Sequence, residues 1–322
     1  MFNIVKYRWY YITFSLMVIV PGIIAMIFST ITTGSPVQLG IDFVGGSLFE
    51  LQFEGDATEG QIREVFAEFD MTDIVLQELV PIGDENVENA SRWQARTAFA
   101  EPEVTEAIKL ALSDQIAPLN EDATSVVQVT PTIGAEVTQA AIVAVFVATA
   151  VILGFIVFAF RQVPNALRYG VCAITAMIHD ILVVMGVMSI LGLLFGWEVD
   201  ALFLTAMLTV IGFSVQDSIV VFDRIRENTR KRRGEAYEML VNRSLLETVH
   251  RSLATQLNAF FIMMALLLFG GDTIKQFVAI LFIGLASGTY SSIFNAVPLL
   301  VIWENGELPF LRGNRRRQQS AA

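Results

Sequence analysis

The sequence predicts an α-helical membrane protein with six transmembrane helices and one α+β domain inserted after the first helix. Of the 322 residues, 54% are hydrophobic and only 16% are charged, against roughly 25% charged in an average soluble domain. Crossing a hydrocarbon core of about 30 Å takes about 20 helical residues. Six apolar stretches reach that length, and the predicted spans are 9–31, 137–160, 169–197, 201–222, 252–271 and 276–303.

The spans divide the chain into four predicted parts. The first part, 1–31, contains the first helix, whose apolar run is too long for a signal-peptide core and lacks a small-residue cleavage site, so we expect it to remain as an anchor. The inserted domain is 32–136, and the five further helices occupy 137–305 with a cytoplasmic loop at 223–250. The tail is 306–322.

The distribution of basic residues predicts the orientation in the membrane. If the N-terminus lies inside, 16 of the 21 Lys and Arg residues fall on the same side as it does. The positive-inside rule makes this side cytoplasmic, so both termini are expected in the cytoplasm and 32–136 outside it. The basic run 230–233 on this side suits either a solvated charge cluster or a contact with membrane lipid headgroups.

The inserted domain is strongly acidic. It carries 20 acidic and four basic side chains, a net charge of −16. This charge keeps a domain soluble and repels nucleic acid, so no nucleic-acid partner is expected.

The pattern of hydrophobic residues in the domain predicts the order β-α-β-β-α-β, which is the ferredoxin-like arrangement. About a hundred residues are enough for one such core. The linking segments 32–38 and 130–136 contain Gly or Pro and are expected to act as hinges. The predicted strands are 47–53, 73–80, 92–99 and 125–129, the helices 58–69 and 103–116, and a turn at 83–89 joins the middle strands.

Ionisable residues inside the spans are the main candidates for function, because such residues are costly in a membrane and usually face the bundle interior. His179 and Asp180 lie near the middle of the third span, and Asp217 lies in the cytoplasmic half of the fourth. Arg251 begins the fifth span and is the expected partner of one of these carboxylates. A buried carboxylate suits a proton relay, whereas the structural alternative is hydrogen bonding that only holds the helices together.

An enzymatic interpretation is weaker. Two intramembrane aspartates also occur in intramembrane aspartyl proteases, but here Gln216, not the glycine of such proteases, directly precedes Asp217. No phosphate-binding loop, metal-ligand spacing or nucleophile elbow occurs, so we predict no enzyme activity, no cofactor and no metal. Gly284 and Gly288 on the sixth span are spaced for close helix packing.

Short motifs along nearly the whole chain resemble the SecD and SecF family of protein-export subunits. The motif LGIDFVGG at 39–46 contains Asp42, Gly45 and Gly46, and the double glycine suits a strained turn. TPTIGAE contains Gly134, and IGFSVQDSIVVFDRIREN contains Gln216, where the family often has asparagine. The remaining motifs are IHD at 178–180, TVHRSLATQ at 248–256, LFGGD at 268–272 and GTYSSIF at 288–294.

The resemblance implies a function in protein export across the bacterial cytoplasmic (inner) membrane. A single extracytoplasmic domain is similar to the SecF type, which forms half of a twelve-helix assembly with SecD, is related to the resistance-nodulation-division (RND) transporters and works beside the SecYEG channel. The assembly is expected to use proton flow to draw the translocating preprotein outward, and YajC is a further expected partner. Asp217 matches the family's intramembrane carboxylate and Arg251 its nearby arginine. The alternative is a passive scaffold for SecD and the channel.

Overall fold

The computed structural model describes residues 3–79, 91–161, 163, 165–232 and 234–307. Two compact units divide the chain. The helical unit comprises Met1–Gln38, Val143–Trp197 and Leu202–Ala322, and the sheet unit comprises Leu39–Ile142 and Glu198–Ala201. The predicted turn at 83–89, the tail 308–322 and Arg233 lie outside the described residues.

The elements follow one another in the predicted order. A 3₁₀ turn, Val5–Tyr7, precedes the first helix. In chain order the elements are α1 Arg8–Thr33, α2 Ile41–Val44, β1 Gly46–Gln52, α3 Glu59–Glu68, β2 Val75–Glu78, β3 Arg92–Thr97, α4 Pro102–Gln115, β4 Ser125–Val129, α5 Pro131–Ala159, α6 Ala166–Phe195, α7 Ala201–Lys231, α8 Tyr237–Phe269, α9 Asp272–Ser291, a π-helical segment Ser292–Ala296, and α10 Val297–Glu304.

Six helical stretches of the described chain are long and apolar enough to cross a membrane, which confirms the predicted number. They comprise α1 with its preceding turn, α5, α6, α7, α8, and α9 together with α10. The sixth span is not a uniform helix, because the π-helical segment interrupts it. Such segments are rare and often occur at functional sites.

Most of the segment 223–250, predicted as a cytoplasmic loop, is helical in the structure. Helix α7 continues to Lys231 and α8 begins at Tyr237, so a short connection replaces the predicted loop. The reason is that apolar residues repeat on one face of these charged segments. Ile225, Leu240, Val241 and Leu245 are buried, which stabilises helix beyond the predicted span ends.

The sheet unit has the ferredoxin-like topology that the sequence predicts. Its four strands lie in the order β2-β3-β1-β4, and every neighbouring pair is antiparallel. The capping box of Thr58 and Gln61 fixes the start of α3. Phe49 of β1 packs edge-on against Phe66 of α3, with ring centroids 5.1 Å apart. The buried core also includes Leu51, Phe53, Ile62, Val65, Trp93, Ala95, Ile108 and Leu112.

Two local predictions for this unit need correction. Strand β3 ends at Thr97, two residues before the predicted end, and Phe99 beyond it is 37% exposed. The segment 130–136, expected as a hinge, is helical from Pro131, where α5 begins. Proline suits the first turn of a helix, where its missing N–H has no partner to lose.

Candidate functional site in the helical unit

Asp217 lies on the buried face of α7 and bonds to a neutral amide. Its side chain is 5% exposed, and the residues one turn away on either side, Ser214 and Val221, are buried as well. Gln256 of α8 is 3% exposed, and its Nε2 donates a 2.6 Å hydrogen bond to Oδ2 of Asp217. In this pair the partner of the buried carboxylate is a neutral amide and not a cation.

Arg251 is not the partner of Asp217 in this structure. Its side chain is exposed and lines a cavity of about 330 Å³ with Asp223 and Arg226. The helix geometry explains this, because Gln256 lies five positions after Arg251 and successive residues turn by about 100°. The two side chains leave α8 about 140° apart, so the helix presents Gln256 and not Arg251 to the carboxylate.

Asp180 is the centre of a second buried cluster. The residue is 1% exposed and lies in α6. Its Oδ2 accepts hydrogen bonds from Ser214 Oγ at 2.5 Å and from Ser291 Oγ at 2.7 Å. Its Oδ1 accepts one from Ser287 Oγ at 2.6 Å. One carboxylate thus connects α6 with α7 and α9.

His179 contacts the same carboxylate. Its Nδ1 lies 3.0 Å from Oδ1 of Asp180, although adjacent helical positions point about 100° apart. The ring is also stacked near Tyr290, with centroids 6.2 Å apart. Nε2 of His179 is buried without a hydrogen-bond partner among the described residues. His179 and Asp180 therefore form one polar group.

The small residues of the sixth span allow α9 to approach these carboxylates. A Cβ at Gly284 would lie 2.2 Å from Val210 Cγ2, so glycine is required at this contact with α7. A Cβ at Gly288 would lie 3.3 Å from Ser214 Cα and 3.6 Å from Oδ2 of Asp180. The packing predicted for both glycines is present, and it brings the serines of α9 within reach of Asp180.

The glycines of the double-glycine motif form a tight turn in the sheet unit. Gly45 has φ +78° and Gly46 has φ +140°, which side chains rarely adopt. A Cβ on Gly45 would lie 2.6 Å from Pro131 Cα, and one on Gly134 would lie 2.8 Å from the Gly45 nitrogen. Gly46 is equally confined, because its Cβ would meet the Thr97 carbonyl oxygen at 2.7 Å. The double-glycine motif at 39–46 and the TPTIGAE motif at 130–136 therefore contact each other at this turn.

Asp42 of the same motif caps a helix. Its Oδ2 accepts a 2.9 Å hydrogen bond from the backbone N–H of Ala201, the first residue of α7. A carboxylate is favourable there because the first N–H groups of a helix have no partner within it. Beside it, Arg96 of β3 forms a 2.5 Å ion pair with Glu198 and donates to the Leu39 carbonyl oxygen at 2.9 Å. Burial raises the pKa of Glu198, and the Arg96 guanidinium opposes that rise.

Some residues around the buried carboxylates were not predicted from the sequence, and one predicted residue, Gln216, lies away from them. Gln256 and Ser214 were not predicted as ligands of the carboxylates, and the only sequence signal was a polar side chain within an apolar span. Gln216 is exposed, so it faces away from the buried side of α7 that carries Asp217. Within the described part of the chain, no group of three or more His, Cys, Asp or Glu side chains is arranged to hold a metal ion.

These features define a class of protein before any relative is considered. Six membrane-length helices in the described chain, buried carboxylates hydrogen-bonded between helices and a ferredoxin-like domain inserted after the first helix define a multi-pass membrane protein of the transport type.

Comparison with known proteins specifies the family. The family model for the protein export membrane protein SecD/SecF, C-terminal region, matches residues 109–306, and the SecD/SecF GG motif matches residues 30–57. The chain belongs to the SecF family of protein translocase subunits, a multi-pass transport component of the inner membrane.

Relatives and a solved structure support this assignment. The chain is 44% identical to protein translocase subunit SecF of Thermobaculum terrenum, over 100% of this chain and 99% of that one. It is also 44% identical to SecF of Anaerolinea thermophila, over 95% and 96% of the two chains. The crystal structure of SecDF from Thermus thermophilus, a translocon-associated membrane protein, matches with a TM-score of 0.76 and 28% identity. The match covers 94% of this chain and 39% of the SecDF chain.

Proposed function

We propose that the chain acts with SecD, beside the SecYEG channel, to couple the proton-motive force to late, ATP-independent steps of preprotein translocation. The observation that supports this most directly is the buried pair of Asp217 and Gln256, in which a carboxylate at membrane depth has a neutral partner. Such a carboxylate can exchange a proton without breaking an ion pair.

The available energy is sufficient for such coupling. One proton crossing 100 mV releases about 2.3 kcal/mol. A pH difference of one unit adds about 1.4 kcal/mol per proton. These amounts shift a two-state equilibrium, provided that protonation of Asp217 favours one of the two conformations.

His179 and Asp180 are proposed as a second proton-exchanging group of the relay. The carboxylate of Asp180 contacts α7 one turn from Asp217, because Ser214, which donates to Asp180, lies three residues before Asp217. Arg251 is proposed to act from the cavity that it shares with Asp223, by lowering the proton affinity of Asp217 when the conformation changes.

The domain at 32–136 is proposed to lie outside the cytoplasm and to contact the emerging preprotein, with both termini inside. Its acidic surface would limit irreversible sticking to an unfolded client. The non-helical segment 34–38 is the proposed hinge. A disulfide or bifunctional cross-link that fixes the domain to the membrane helices should stop export; export at the parent rate with complete cross-linking would contradict the movement.

The substitution Asp217→Asn tests the relay, because the amide keeps the volume and loses the titration. We expect the complex with SecD to assemble at the parent level while export driven by the proton-motive force in membrane vesicles is lost. A passive scaffold without a proton relay predicts normal export from Asp217→Asn. The same vesicles without a proton-motive force provide the baseline, since ATP-driven export should be equal for both proteins.

A further inference from the structure

We infer that Gln256 is a positioning residue that reports the protonation state of Asp217 to helix α8. Its carboxamide donates an N–H to the ionised carboxylate and turns by about 180° to accept the O–H of the protonated acid. The inference rests on the proposed function, because it assumes that Asp217 exchanges protons.

The geometry of the pair makes the Gln256 amide sensitive to a proton on Oδ2 of Asp217. Nε2 of Gln256 lies 2.6 Å from Oδ2 of Asp217, and both side chains are more than nine-tenths buried. An ionised carboxylate only accepts hydrogen bonds, whereas a carboxylic acid also carries a donor. A proton added at Oδ2 would face the N–H groups of the amide, so donor would meet donor. Rotation about the soft terminal torsion of glutamine places its carbonyl oxygen there instead.

A glutamine suits this task better than a cation. An arginine at the same position would offer only donors and would hold the carboxylate ionised. The amide offers a donor at one end and an acceptor at the other, and so it can bond to both forms. The hydrogen bond between Gln256 and Asp217 therefore persists when Asp217 is protonated, and the orientation of the amide is what changes.

Ser252 is a nearby hydroxyl that the amide can use when it turns. Its hydroxyl is buried and has no hydrogen-bond partner among the described residues. It lies one helical turn before Gln256, on the same face of α8, where side chains four residues apart are neighbours. A hydroxyl can donate or accept, so Ser252 can serve the carbonyl end in one state and the N–H end in the other.

No charged side chain among the described residues replaces Gln256 as the hydrogen-bond partner of Asp217. From α6, Asp180 contacts α7 at Ser214, one turn before Asp217, and His179 contacts Asp180. On α8 the nearest charged residue is Arg251, which lines the separate cavity. The sixth span carries no charged residue between Lys275 and Glu304. Of the described side chains, Gln256 is the one that hydrogen-bonds to Asp217.

The test uses the complete complex with SecD in lipid vesicles and infrared difference spectroscopy between acid and alkaline pH. In the parent protein, with isotopically labelled glutamine, we expect the side-chain amide band to change together with the carboxylic acid band of Asp217. The amide change should be absent in Asp217→Asn and in Gln256→Met, which keeps a similar volume without an amide. A glutamine band that stays constant while Asp217 titrates would overturn the inference.

The titration itself gives a second measurement. Gln256→Met should raise the pH midpoint of the Asp217 band by about one unit, because the ionised form loses a hydrogen bond worth about a tenfold change in proton affinity. Asn258→Met is the matched control, since Asn258 is an exposed amide on the same helix, and its midpoint should equal that of the parent. An unchanged midpoint in Gln256→Met would contradict the inference while leaving the proposed function intact. Parent-level export by Asp217→Asn would remove the proposed function itself.

Discussion

Gly22 of α1 and Gly186 of α6 pack backbone against backbone. A Cβ built on Gly22 would lie 2.8 Å from the Cα of Gly186, and one built on Gly186 would lie 2.7 Å from the Cα of Gly22. Helices in a membrane associate through such close packing, because lipid gives apolar side chains no reason to leave it. This contact holds α6, which carries His179 and Asp180, against the first span.

The first prediction concerns that contact. Gly186→Ala should destabilise the helical unit by about 1–3 kcal/mol, because backbone atoms cannot move aside as a flexible side chain can. Thermal unfolding of the purified chain in detergent measures the effect. Gly154→Ala is the control, since a Cβ there meets nothing within 4 Å and alanine favours the helix. Equal melting temperatures for the two variants would show that α1 and α6 separate without cost.

The hydroxyl groups around Asp180 lead to a second prediction. Ser287→Ala and Ser291→Ala each remove one donor to the carboxylate and should each cost about 1 kcal/mol of unfolding free energy. Thr289→Val is the matched control on the same helix, because its hydroxyl bonds only to the backbone of its own helix in the described structure. If either serine variant were as stable as the control, that serine would not contribute to holding the helices together.

Arg251 provides a third prediction. Arg251→Leu should cause a severe loss of export driven by the proton-motive force, and Arg251→Lys a partial loss, because lysine keeps the charge without the planar fork. Arg232→Leu, which removes an exposed positive charge nearby in the sequence, should export normally. Parent-level export by both Arg251 variants would exclude Arg251 from the mechanism.

The ion pair of Arg96 and Glu198 gives a prediction about pH. Burial raises the pKa of Glu198, so ionised Glu198 costs folding free energy above its folded pKa, and this cost disappears as the pH falls through that value. Arg96→Met removes the opposing charge and should raise the pKa further. We therefore expect a loss of about 1–3 kcal/mol at neutral pH that becomes smaller at acid pH.

Two variants control this experiment. In Arg96→Met/Glu198→Gln the buried charge is gone, so stability should partly recover at neutral pH and lose its dependence on Glu198 titration. Lys109→Met breaks the ion pair with Glu106, whose side chain is 66% exposed, and should change little. A loss in Arg96→Met that is equal at neutral and acid pH would mean that only the hydrogen bond to Leu39 matters.

The sequence by itself determined the six spans, the ferredoxin-like order of the inserted domain and the SecD/SecF motifs. These follow from local patterns, since span length and strand alternation depend on neighbouring residues alone. The strained glycine turn was predictable for the same reason: Gly45 and Gly46 occupy backbone conformations that few other residues adopt. Local patterns also limit the prediction. The charges of 223–250 indicated a loop, but apolar residues on one face make most of this segment helical.

Only the tertiary structure decided which side chains meet. The sequence placed Arg251 beside Asp217, but the rotation of α8 about its axis brings Gln256 to the carboxylate instead. That rotation is set by packing between helices, which no local pattern records. The cluster on Asp180 depends in the same way on α9 approaching α7 at Gly284 and Gly288. A serine in an apolar span is an ordinary residue until the packing of three helices brings its hydroxyl to a buried carboxylate.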